Sequence, residues 1–138
     1  MAETHKEVIR IWVEEAVNKG NLSALDEVVH PNYVYRSPNE ELHGPEAIKG
    51  FFAMLRAAFP DLKLQIDDLV IDGDKAVNCF TLTGTHKGDF MGIAATGKPV
   101  KVNGMVLSRF EDGKIIEEWE ILDQLAMFQQ LGVVSLPT

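Results

Sequence analysis

Apolar residues Val8, Ile11, Trp12 and Ala16 recur at helical spacing between Thr4 and Lys19, and Gly20 in "NKGN" closes the segment, so the pattern predicts a helix over 4–19. "LSALDEVVH" gives a second short helix, over 22–29, stopped ahead of Pro31. Through "NYVYRSPNEELHG" aromatic residues alternate until Pro38 and Asn39 interrupt them, as in a short irregular strand or hairpin arm. Pro45 suits the first turn of a third helix, over 45–58, where Ile48, Phe51, Phe52, Leu55 and then Phe59 make a broad apolar stripe that stops at Pro60.

Beyond Pro60 the apolar period shortens to two. "LKLQIDDLVIDGDKAVNCFTLTGTHKG" reads as two strands turned at "DGD", and "KPVKVNGMVLSRFEDGKIIEEWEIL" repeats the arrangement with "EDGK" as its turn. The "GDFMGIAATG" between the pairs has too much glycine for a regular element and too many apolar residues for a solvated loop. It suits a flap that turns Phe90, Met91 and Ile93 toward a ligand or a second subunit. Leu125, Met127 or Phe128, and Leu131 return to helical spacing, with Gly132 at the stop. Three helices, four long antiparallel strands and a short terminal helix make an α+β sandwich, because a sheet with one apolar face needs the helices to cover it. A strongly bent sheet wrapped round a helix would leave a cone open to a ligand at one end. No strand is followed by the crossover helix that parallel pairing requires.

The 138 residues suffice for one domain, 1–138. An excess of 21 acidic over 13 basic side chains, net −8, repels nucleic acid and anionic lipid, and the lysines form no strip that would reverse the field locally. "MAETHKEVIR" lacks the apolar core of a secretory signal, and no apolar run approaches the roughly 18 residues of a membrane span. With a single cysteine, Cys79, these features favour a cytoplasmic protein and a buried thiol.

In "WEILDQLAMFQQLG", Asp123 ends one apolar stretch and precedes another. Strand alternation puts it on one face with Ile115, Glu117, Trp119 and Ile121, opposite Ile116, Glu118, Glu120 and Leu122. Two roles fit. Directly ahead of a helix, Asp is a good N-cap. If the Trp119 face lines a cavity, apolar surroundings strengthen the carboxylate as a base for taking a proton from carbon. The roles are compatible only if one carboxylate oxygen stays free. Glu117, Glu118 and Glu120 read as solvated strand charge.

His5, His30, His43 and His86 are too scattered for any metal-ligand spacing, so no metal is expected. His86 ends a strand just ahead of the flap, where a cavity mouth would lie. "GIAATGKP" matches a phosphate-binding loop only as far as its lysine: Pro99 offers no hydroxyl, and a strand follows instead of a helix. Trp12, Tyr33, Tyr35 and Trp119, large rings with few torsions, are candidate stacking surfaces. Phe51, Phe90, Met91 and Met105 add apolar wall to the same candidate site for a hydrophobic or aromatic small molecule.

"HGPEAIKGFFAMLRAAFPDLKLQIDDLVIDGDKAV" followed by "LTGTHKGDFMGIAATGKPVKVNGMVLSRFEDGKIIEEWEILDQLAMFQQLG" resembles the SnoaL-like polyketide cyclases, or ester cyclases, of the NTF2-like superfamily, over about Val8 to Gly132. The ordered set "GTHKGDFMG", "TGKPV", "DGKI" and "EWEILD" carries the resemblance. It implies a cone-shaped α+β barrel, with N-terminal helices packed on a strongly curved, mostly antiparallel sheet, and commonly a homodimer. Val77, Cys79 and Leu107 on the outer sheet face would contribute to the contact. The resemblance also implies intramolecular aldol condensation of a conjugated, polyketide-like carbonyl ester without metal or organic cofactor. Asp123 matches the family's acid/base aspartate, and His86 falls on a common family position. Tyr35 and Arg36 stand where the family often has an Asp-His pair, a change of pocket-facing hydrogen-bonding groups that would suit a different substrate or reaction, and Ala94 stands where the family often has proline. Two alternatives stay open: an isomerase or epoxide hydrolase on the same fold, and a non-catalytic binding or dimerisation domain.

Overall fold

Buried residues near the N-terminus repeat in steps of four: Val8, Trp12 and Ala16 form one column and Ile9, Val13 and Val17 another, none more than 7% exposed. A regular α-helix would turn such columns by about 40° at each step. Here the helix widens instead. α1 (Ala2–Arg10) runs directly into a π-helical segment, Ile11–Asn18, and the i→i+5 closure is seen where Lys19 N donates to Glu14 O at 3.2 Å. Both apolar columns therefore stay in the core. The computed structural model describes residues 2–135.

A 3₁₀ turn (Leu22–Ala24) leads into α2 (Leu25–Val28), β1 (Val29–Arg36), β2 (Glu41–His43), α3 (Pro45–Ala58), β3 (Lys63–Asp72), β4 (Lys75–Thr85), β5 (Pro99–Glu111), β6 (Lys114–Leu122) and α4 (Gln124–Leu131). The expected helices and both hairpins are present. β1 and β2 join the four long strands in one six-stranded sheet of order β2-β1-β6-β5-β4-β3. Four of its pairings are antiparallel, whereas β1 and β6 run parallel. That pair needs no dedicated crossover helix, because everything from β2 through β5 connects its two strands.

The expected cone-shaped barrel is not formed. β2 and β3 end the sheet without pairing with each other, so it is open, neither closed nor strongly curled. Burial does not require closure here: helices cover the apolar face, β2 has only three residues, and edge strand β3 carries Lys63, Asp67, Asp68 and Asp72, which discourage further pairing. Residue alternation in the sequence carries no signal for whether the edges meet. Among the described residues, no helix is long and apolar enough to cross a membrane.

Candidate active site

β6 presents its faces in the opposite sense to the one on which the Asp123 side would line a cavity. Trp119 and Ile121 are 52% and 67% exposed, while Glu118 is 6% exposed and Glu120 half-buried on the helix-covered side. A β-bulge is responsible. Arg109 pairs with Glu117 but Phe110 with Ile115, so Ile116 is an extra residue in β6. Ile115 and Glu118 consequently both point inward, although strict alternation separates them.

Each inward carboxyl has a tyrosine partner. Tyr33 Oη donates to Glu118 Oε1 and Tyr35 Oη to Glu120 Oε1, both at 2.6 Å, and Ser108 Oγ donates to Glu118 Oε2 at 3.0 Å. Burial pushes the Glu118 carboxyl up to about 7; the Tyr33 and Ser108 hydroxyls oppose the rise, and the Glu120 charge adds to it. Burial raises Glu120 as well, with Tyr35 opposing. Burial and the neighbouring carboxylates raise both phenols, which keeps them protonated as donors. Glu118 has both oxygens occupied. Among the described residues, Glu120 Oε2 has no hydrogen-bond partner.

A cavity of about 50 Å³ lies against these groups, with Trp12, Phe51, Phe52 and Phe80 in its wall and Asn78, Ser108, Glu118 and Glu120 as its polar patch. Tyr35, Phe51, Phe80 and Glu120 also border a cleft of about 1,600 Å³, so the cavity adjoins its inner end. The cleft exceeds the roughly 300–1,000 Å³ of an ordinary ligand pocket because its walls reach the bare outer sheet face at Met105, Leu107, Trp119 and Ile121. Its charge is one-sided. Glu40, Asp67, Glu120 and Asp123 line it, and the lining cation Arg36 is held by Glu41 at 2.8 Å and by Glu117, with its guanidinium 4.9 Å from the Trp119 ring centroid.

Asp123 is exposed and borders the cleft. Its Oδ1 accepts from Ala126 N at 3.0 Å as the N-cap of α4, and its own N–H donates to Asn103 O at 3.0 Å. Oδ2 has no hydrogen-bond partner among the described residues, the condition under which capping and proton transfer can coexist.

Of the other sequence candidates, Trp12 walls the inner cavity, and Tyr33 lies behind it on Glu118. Tyr35, Phe51, Phe90, Met91, Met105 and Trp119 line the cleft, the last-named Met105 and Trp119 from the outer face. His86 lines neither space. It is 0% exposed, and its Nδ1 lies 3.0 Å from Thr96 Oγ1 and accepts from Thr96 N at 3.2 Å, which ties the two ends of the flap together. Asn78, Ser108, Glu118 and Glu120 are the site groups that sequence reasoning missed. A signal existed: Tyr33 and Tyr35 share one period of two, and so do Glu118 and Glu120.

His30, Glu111 and Asp112 gather at the other end of β6 with ligand atoms within 4.8 Å of one another. His30 Nδ1 accepts from Asn32 N at 3.0 Å, which places the proton of the neutral ring on Nε2, facing Glu111 and Asp112 at 3.5 and 3.6 Å. A metal on Nε2 would move that proton to Nδ1, against the Asn32 N–H, so the trio fits a histidine–carboxylate contact better than a metal site.

An open, mostly antiparallel sheet with helices over one face and an acidic, aromatic-lined cleft against its central strands defines a small α+β fold of the NTF2-like type. Within that class, the chain belongs to the SnoaL-like polyketide cyclase family, whose profile matches residues 7–131, and hence to a family of enzymes. It is 31% identical over 133 residues to aklanonic acid methyl ester cyclase DnrD of Streptomyces peucetius, covering 94% of this chain and 91% of that protein. Nogalonic acid methyl ester cyclase of Streptomyces nogalater is 28% identical over 121 residues, 85% of this chain and 90% of its own length. The solved structure of TsrD from Streptomyces laurentii superposes with a TM-score of 0.88 at 30% identity, covering 96% of this chain and 97% of TsrD.

Proposed function

We propose that this protein is a cofactor-independent ester cyclase that closes a ring in a conjugated, polyketide-like carbonyl ester by intramolecular aldol condensation, with Asp123 as general acid/base. The observation that carries this reading is the unpaired Oδ2 of Asp123 on the border of a long, aromatic-lined cleft. Asp123 takes a proton from carbon between two carbonyls, and conjugation spreads the resulting enolate. The enolate carbon bonds to the carbon of a further carbonyl elsewhere in the same ligand, and the oxygen of that carbonyl takes the proton back from Asp123. The cleft supplies closeness and orientation.

Two observations support cyclisation over water activation. The buried polar patch of Asn78, Ser108, Glu118 and Glu120 lies in the inner cavity, which Asp123 does not line. The cleft that Asp123 borders is mostly apolar over its lining as a whole, as a flat conjugated ligand requires. Acidic lining with its cation already paired also favours a neutral ester over a free acid, as do the methyl ester cyclases among the relatives. The test is to dialyse the protein against a chelator and follow ring closure of an aromatic polyketide keto methyl ester by chromatography. Product formed at an undiminished rate supports the reading; uncyclised ester at the end contradicts it.

A further inference from the structure

The inner cavity has mostly apolar walls, but Asn78, Ser108, Glu118 and Glu120 set a polar patch in them that a packing defect would lack. Asn78, 5% exposed on β4, makes no side-chain hydrogen bond among the described residues, and its Oδ1 is wholly buried. Buried amides ordinarily find partners, because leaving one unpaired costs stability. Strand register puts Asn78 and Glu120 in one inward row, on either side of Val106. Glu120 Oε2 is a second unpaired polar atom in that row, whereas Glu118 is satisfied by Tyr33 and Ser108.

We propose that this cavity is an oxygen subsite: it takes a carbonyl or hydroxyl oxygen at the leading edge of a flat conjugated ligand, with the Asn78 amide and Glu120 Oε2 as its hydrogen-bonding partners. The proposal rests on the cleft being the ligand site, since the oxygen enters from it past Tyr35 and Phe51, which wall both spaces. The amide suits either oxygen, because its NH₂ donates to a carbonyl and its own carbonyl accepts from a hydroxyl. Burial raises the proton affinity of Glu120, so its free oxygen can carry a proton toward a carbonyl or accept one from a hydroxyl. A ligand edge of carbon alone leaves both groups unpaired, and sites built to pair a polar group reject analogues that lack it. At about 50 Å³ the cavity also has room for water, which the ligand oxygen must displace.

The test compares 2-naphthol with 2-methylnaphthalene, similar in size and shape, by calorimetric binding to wild type, Asn78→Leu and Glu120→Gln. Wild type is expected to prefer the naphthol by about tenfold, the value of one well-made buried hydrogen bond. Asn78→Leu should erase most of that preference while still binding 2-methylnaphthalene, and Glu120→Gln should reduce it in part. Should the Leu variant fail to fold, Asn78→Ala removes the amide without adding bulk. Equal or reversed preference in wild type means that the cavity holds only water and overturns the subsite, as does a preference that survives loss of the amide. If neither compound binds, the cleft is not the ligand site, and the functional reading falls together with the subsite.

Discussion

Tyr33 Oη donates to Glu118 Oε1 at 2.6 Å across the parallel β1–β6 pair, and the carboxyl it serves has had its proton affinity raised by burial to about 7. From an ordinary value of 4.5, the native state binds this proton more tightly than the unfolded chain. Its contribution to stability is thus fully present below about pH 4.5 and is lost as pH rises through about 7, by roughly 3 kcal/mol. Glu118→Gln, which stays neutral, should unfold at a higher temperature than wild type at pH 8 and show no such advantage at pH 4.5. Thermal unfolding at the two pH values measures the difference; a gap that does not change with pH contradicts it.

The outer sheet face predicts an assembly. Met105, Leu107, Trp119 and Ile121 are 53%, 37%, 52% and 67% exposed on adjoining strands, a contiguous apolar surface of the kind that marks an interface. We expect a homodimer joined through this face at micromolar concentration, and a monomer on Ile121→Lys with the fold intact. Sedimentation velocity distinguishes the two states, and a wild-type monomer would remove the expectation.

Ligand charge gives a third prediction. With Arg36 committed to Glu41 and Glu117, the cleft offers a carboxylate ligand more repulsion than attraction. A conjugated keto methyl ester should bind about tenfold tighter than the matching free acid at low salt, and the gap should narrow in high salt as the field is screened. Titration of both compounds at two ionic strengths tests this. Tighter binding of the acid would show that Arg36 is released to the ligand.

Much of the fold was legible because apolar periodicity changes from helical to alternating at Pro60 and because "DGD" and "EDGK" are strong hairpin turns. Asp123 was legible as a cap for an equally local reason: it directly precedes α4. The openness of the sheet was not, since closure depends on edges far apart in sequence. Nor was the inward face of β6. Ile115 is buried and shares parity with Trp119 and Ile121, so alternation assigns the wrong face to all that follows, until the bulge at Ile116 is known. That single residue conceals two inward-facing carboxyls as apparent solvent charge. The pairing of Tyr33 with Glu118 and of Tyr35 with Glu120 spans 85 residues in each case, a separation that no local pattern reports.

The most direct test of the account is turnover of an aromatic polyketide keto methyl ester by Asp123→Asn alongside wild type, with thermal unfolding and ester affinity measured on the same samples. The Asn side-chain oxygen can still accept from Ala126 N, so the cap persists, whereas no carboxylate remains to take the proton. The account predicts unchanged folding and affinity with turnover lower by about 100-fold or more, and for Asp123→Ala an added loss of about 0.5–2 kcal/mol in stability. Wild-type turnover in the Asn variant would contradict the account and leave Asp123 as a helix cap alone.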